Sequence, residues 1–234
     1  MDEAIISGLI CGVVLAMVHL ASESIHLRHG KMRWRIISFA AGISIAYLFL
    51  HLLPETYEAA NHIKGWVFVF LLAGFTVFHL IEKYVYQHVE RERLVRDLKE
   101  IHSVSFFIYH FVVGVALTGK FEESMLEGLL FLVPVAFHAG LSTASLSGIH
   151  DDMMELKFVR VLLSISTLLG VVFAALIRIP PALELSLVSF VAGVLLYIIV
   201  REFLPQKEKG EPAYFVLGLL LFAAVNLAIP VANG

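Results

Sequence analysis

Ser38-Phe39-Ala40-Ala41-Gly42, running on to His51-Leu52-Leu53-Pro54-Glu55, is the stretch on which the reading of this chain turns. It returns as Ser189-Phe190-Val191-Ala192-Gly193, running on to Glu202-Phe203-Leu204-Pro205-Gln206, with each residue 151 positions after its counterpart. Six of the seventeen positions from Ser38 to Pro54 are identical in the copy. Both stretches lie in apolar runs of about 20 residues, the length a helix needs to cross a bilayer core of roughly 30 Å.

The same length criterion, applied along all 234 residues, gives eight apolar segments. They cover 4–21, 36–56, 66–86, 103–119, 126–148, 158–178, 184–204 and 213–229. The composition agrees: 59% of residues are hydrophobic, 16% are charged and the mean hydropathy is +0.86. A soluble domain carries about 25% charged residues, so a soluble globular domain is excluded, as is a disordered chain. The net charge of −3 leaves no basic footprint for a nucleic acid. One cysteine, Cys11, excludes an internal disulfide framework and a thiolate zinc cluster. The expectation is an all-α, polytopic membrane protein forming one transmembrane domain over 1–234. The acidic start, Met1-Asp2-Glu3, lacks the basic region of a secretory signal, so the first segment is read as an uncleaved span.

Lysine and arginine set the direction of the spans. With the N-terminus outside, only Lys64, Lys120 and Arg178 of the 17 basic residues fall on the outer side. Both termini are then expected outside, in a plasma or inner membrane. This direction makes helices two and seven antiparallel. Related helices running in opposite senses predict an inverted repeat, helices 1–3 (about 4–86) matching helices 6–8 (about 158–229) around helices 4–5 (about 103–148). Such repeats are typical of alternating-access transporters. The alternative is a chance match among the few residue types that membrane helices use. The charged residues 87–102, with Leu94, Leu98 and Ile101 at helical spacing, read as an interfacial amphipathic helix on the inner side.

The polar residues inside the spans are candidates for a pathway, because ionisable groups in a membrane are costly. On helix five, His138, Ser142 and Ser145 share one stripe, with Thr143 and Ser147 beside it and Pro134 one turn before His138. Helix four offers His110. Near the outer end of helix two, His51, Glu55, Glu58 and His62 recur at helical spacing, with Ser44 and Tyr47 extending the face inward. Two carboxylates and two imidazoles suit a transition metal; a plain polar helix end is the other reading. Toward the inner side stand His19, Glu23 and His26, then His150, Asp151, Asp152 and Glu155. These read as an inner exit or as solvated helix ends. Packing contacts through backbone carbonyls would equally explain His110 and His138.

These stretches resemble the ZIP (Zrt/Irt-like) divalent-metal transporter family, helix two in Phe39–Gly42 through His51–Glu55 and helix seven in Phe190 through Pro205. The likeness extends to eight spans, outward termini and a long inner loop after helix three. It implies a 3+2+3 bundle moving zinc-type cations toward the cytoplasm, with the metal centre on helices four and five. There the sequence departs. Where the family's fourth helix has its first histidine and its carboxylate, this chain has Tyr109 and Val113, with His110 between them. On helix five His138 remains, while the family's two glutamates are replaced by Ala139 and Thr143. A buried dication needs carboxylates, so the family's binuclear site is not expected.

The expected function is a ZIP-like membrane transporter, not an enzyme, for a divalent cation of zinc type or another small solute. Tyr109, His110, His138, Ser142 and Ser145 form its central site. His110 and His138, with His51 and Glu55, are the metal candidates, and His150, Asp151 and Asp152 the inner exit. No resident cofactor is expected beyond one divalent metal such as zinc. The expected partners are the bilayer, the transported solute and a second copy of the chain; Gly42, Gly114, Gly140, Gly193 and Gly218 permit close helix contacts, within a chain and between chains alike. The alternatives are a non-transporting ZIP-fold protein with an interaction or regulatory role and, third, an intramembrane metal hydrolase, which needs a carboxylate base beside a metal-bound water.

Overall fold

A computed structural model describes residues 3–24, 31–88, 94–146, 161–203 and 210–228. Every element among the described residues is helical: α1 (Glu3–Ser24), α2 (Lys31–Tyr47), α3 (Leu53–Ile63), α4 (Trp66–His88), α5 (Leu94–Glu123), α6 (Met125–Leu146), α7 (Ser166–Leu176), α8 (Pro181–Ile198) and α9 (Pro212–Ala228). Four stretches are long and apolar enough to cross a membrane: Glu3–Ala21, Lys31–Ile63, Val104–Glu123 and Pro181–Arg201. Shorter apolar helices cover Trp66–Ile81, Met125–Leu141, Ser166–Leu176 and Pro212–Ala228. The perimeter carries large exposed apolar side chains, among them Trp66, Leu72, Leu176, Leu220 and Leu227. An apolar exterior of this kind marks an integral membrane protein, because lipid rather than water is its solvent.

α2 and α3 form one continuous rod joined by a π turn, Leu48–Leu52. Pro54 has no N–H to give to the carbonyl four residues back. The ladder widens just before it, and the Leu53 N–H bonds to the Leu48 carbonyl five residues away. The Thr56 hydroxyl donates to the Leu52 carbonyl one turn back at 2.7 Å, a common helical back-bond. α8 ends in a second π turn, Ile199–Phe203. Both ends of this turn, Ile199 and Phe203, stand 151 positions after Leu48 and Leu52.

Pro134 lies inside α6, which runs without a break from Met125 to Leu146; neighbouring helices re-satisfy a carbonyl that a proline frees in a membrane bundle. Residues 94–102 are also helical and run straight into α5, rather than forming a separate interfacial helix. The Pro180-Pro181 pair sets the start of α8, Pro180 being extended (φ −63°, ψ 140°) and Pro181 occupying the first turn.

Three long helix pairs build the bundle: α4 against α8, α2 against α9 and α5 against α7, while α1 packs on α5, α6 and α7. Glycines make each of these three pairs close. Gly42 faces the Phe215 carbonyl and Gly218 faces the Phe39 carbonyl; Gly74 faces Phe190 and Gly193 faces Leu71; Gly114 faces Thr167 and Gly170 faces Phe111. In each crossing a residue three positions before one glycine offers its carbonyl to the glycine opposite. With no Cβ between them, the backbones touch and gain dispersion contacts, the main attraction left between helices in lipid. Around these crossings the core is filled by Leu15, Tyr47, Tyr109, Leu117, Phe131 and Leu195, all essentially inaccessible.

Candidate functional site

Two polar clusters lie inside the bundle. The first joins α1, α5, α6 and α7. His110 and His138 stack face to face, with centroids 5.6 Å apart and planes within 5°. His19 meets His110 edge-on at 4.8 Å. Phe106 lies 4.0 Å from His110, and Tyr109 stands edge-on to His138 at 5.5 Å. The His110 Nδ1 and the Thr167 hydroxyl are 3.3 Å apart. These histidines are buried, His110 completely.

His110, His138 and Tyr109 therefore come together as the sequence suggested. His19 belongs with them: α1 continues past it to Ser24, which places it inside the bundle instead of at a solvated inner end. Thr167 was not singled out, although the run Ser164-Ile165-Ser166-Thr167 is an obvious polar interruption in an apolar span. Val113 and Ala139, which stand where the resemblance implies carboxylates, are fully buried. Ser142 and Ser145 lie on the last turns of α6, with side chains outside the described residues, and His150, Asp151 and Asp152 also lie outside them. Among the described residues, no group of three or more His, Cys, Asp or Glu is arranged to hold a metal ion. The imidazoles form an aromatic box with a polar lining.

The second cluster sits at the end of the bundle where α5 passes into α6. Only Ser124 separates these helices. Its hydroxyl accepts the Glu127 N–H at 3.1 Å, capping α6. The Glu127 carboxylate then reaches His51 in the π turn, and the other His51 nitrogen lies 3.3 Å from Asn226 on α9. Lys120, in the last turn of α5, is only 1% exposed. Its ammonium donates to Glu55 on α3 at 2.5 Å and to both oxygens of Glu123 at 2.9 and 3.0 Å. Glu184 of α8 lies against Gly119, the residue before Lys120. Tyr47, fully buried, stacks on His51 with centroids 5.3 Å apart.

His51 and Glu55 thus share a cluster but not a ligand shell, because each is paired with a residue from another helix. Glu58 and His62 are exposed and outside the cluster. Sequence reading missed Lys120, Glu123, Glu127, Glu184 and Asn226. The segment Lys120-Phe121-Glu122-Glu123 falls between the expected spans 103–119 and 126–148, whereas α5 runs on to Glu123 and Lys120 is buried. Compared with known proteins, the chain matches no family model, and no curated protein matches it.

Proposed function

We propose that the chain is a divergent ZIP-like carrier, moving a divalent cation of zinc type or another small solute through the aromatic box around His110 and His138. In this reading both termini lie outside, and eight spans are arranged three, two and three as an inverted repeat. The observation that carries it is the pair of π turns, Leu48–Leu52 and Ile199–Phe203, in register at the 151-residue offset of the sequence repeat. π turns are rare and cluster at functional sites. Their recurrence at one register, in helices to which the charge pattern gives opposite directions, supports an inverted duplication more strongly than six identities alone.

The packing supports the same reading. Exchanging spans 1–3 with 6–8 and span four with five turns the α4–α8 pair into the α9–α2 pair, and the α5–α7 pair into the α6–α1 pair; all four pairs are in contact. Sites between such repeats lie near the membrane midplane. Imidazoles with the Thr167 hydroxyl, and with Val113 and Ala139 in place of carboxylates, suit one borderline ion completed by water better than two.

The experiment is zinc uptake into liposomes holding the purified protein, with bound metal counted per chain. Uptake above empty liposomes is the expected result, with His138→Ala losing both the uptake and one bound ion per chain. Loss of two ions per chain in His138→Ala would overturn the degraded centre. Absence of both uptake and a His138-dependent ion would move the weight to a non-transporting fold, the reading favoured by the buried Val113 and Ala139.

A further inference from the structure

The polar cluster at the α5–α6 end has a charge pattern that its own partners leave unbalanced. Glu55, Glu123, Glu127 and Glu184 gather around one ammonium, Lys120, and one imidazole, His51. With all four carboxylates ionised and His51 protonated, the cluster would carry two negative charges, the charge of one divalent cation. Glu55 uses one oxygen on Lys120, while its second, Oε2, is buried without a hydrogen-bond partner among the described residues. The Tyr47 hydroxyl is likewise buried and unpartnered among them, on a side chain that is fully inaccessible and stacked on His51. It lies within electrostatic range of Glu55, Glu127 and Glu123. Buried polar groups are normally hydrogen-bonded, so such orphans mark a place for an unseen partner. Glu123, about half exposed, opens the cluster to the medium.

We propose that Glu55 and Glu123 form a docking site for a divalent transition-metal cation, and that the Lys120 ammonium is its resident occupant, which an arriving ion displaces. An ammonium on a flexible four-carbon stem is a point charge able to hold two carboxylates and to swing away from them. Carboxylate oxygens are acceptable donors for zinc, manganese or cadmium. Lys120 and Glu123 belong to α5 and Glu55 to α3, so displacement also loosens a link between these helices. The site gives the proposed carrier a point of entry and to that extent rests on that reading. Its test measures binding without flux, so a failed uptake assay leaves it standing.

The test uses cadmium ions and the purified full chain. In the wild type, cadmium is expected to raise modification of Lys120 by an amine-reactive reagent several-fold, read by mass spectrometry, because the displaced amine leaves its carboxylates. No increase at saturating cadmium would overturn the proposal. In calorimetry, Lys120→Met is expected to bind cadmium at least ten-fold more tightly than the wild type, and Lys120→Met/Glu55→Gln is expected to lose that gain. A folded Lys120→Met with unchanged affinity, or a gain that survives Glu55→Gln, would overturn it. His138→Ala is expected to keep the cadmium-dependent rise in Lys120 modification, which separates this site from the aromatic box; loss of that rise would overturn the proposal.

Discussion

Gly42 and Gly218 pack against each other's helices reciprocally: the first faces the Phe215 carbonyl, the second the Phe39 carbonyl. A Cβ at either position would overlap the opposing backbone oxygen, which cannot swing aside as a side chain does. Gly42→Val and Gly218→Val are therefore expected to destabilise the fold by about 3 kcal/mol, at the upper end for overpacking. Gly65, with nothing within 4 Å of its added Cβ, is the control, and Gly65→Ala is expected to melt within a degree or two of the wild type in detergent. Equal melting of all three variants would show that the crossing is loose.

The Lys120–Glu55 pair offers a second test through stability. Removing one partner of a buried ion pair costs about 3–5 kcal/mol, because the other charge is left without compensation. Lys120→Met is expected to lower stability by that order, and Lys120→Met/Glu55→Gln to recover most of it. The recovery is read as a positive coupling in a double-mutant cycle of denaturant unfolding.

For the aromatic box, shape and chemistry are separable. His138→Phe keeps a flat ring opposite His110 and is expected to melt close to the wild type, whereas His138→Ala leaves a void and is expected to cost about 2–4 kcal/mol. Both variants are expected to abolish zinc binding in the box. Retention of zinc by His138→Phe would remove His138 from the metal candidates.

The direction of the chain is tested by single cysteines. Asn61→Cys and Asn233→Cys are expected to react with an impermeant maleimide added outside intact cells, and Lys99→Cys and Lys207→Cys only after permeabilisation. The native Cys11 is buried, so background labelling is low. Reaction of Lys99→Cys from outside would reverse the topology.

Much of the helical plan was legible, because lipid permits only long apolar runs whose backbones bond internally. His110 and His138 were legible as rare ionisable groups within such runs. Gly42, Gly114, Gly193 and Gly218 were legible as points of close approach, whereas Gly140 makes only ordinary contact with Val18 and Gly74 and Gly170 complete the crossings. Their pairing was not legible: a bare backbone fits any other, and Phe39-to-Gly42 carries nothing that names Phe215. Lys120 was hidden for a different reason. Its partner Glu55 is 65 positions away, and Glu127 and Asn226 lie 76 and 175 positions from His51. Without those contacts a lysine near two glutamates reads as a surface loop. His19 was assigned to a helix end because periodicity gives a face and not a depth.

The π turn at Leu48–Leu52 also sets the rotational phase of everything after it. A π turn holds one residue more than an α turn, and each residue advances a helix by about 100°. Deleting one residue there, such as the exposed Leu50, would let the rod close into a uniform α-helix with Glu55 kept at nearly its present azimuth. Winding the same residues as a uniform α-helix without the deletion would instead swing Glu55 and Thr56 by about 100° relative to Gly42 and Tyr47, and the carboxylate would leave the azimuth at which it meets Lys120. The wide turn takes up that one surplus residue, letting the first half of the rod lie flush on α9 while the second half aims its acid at α5.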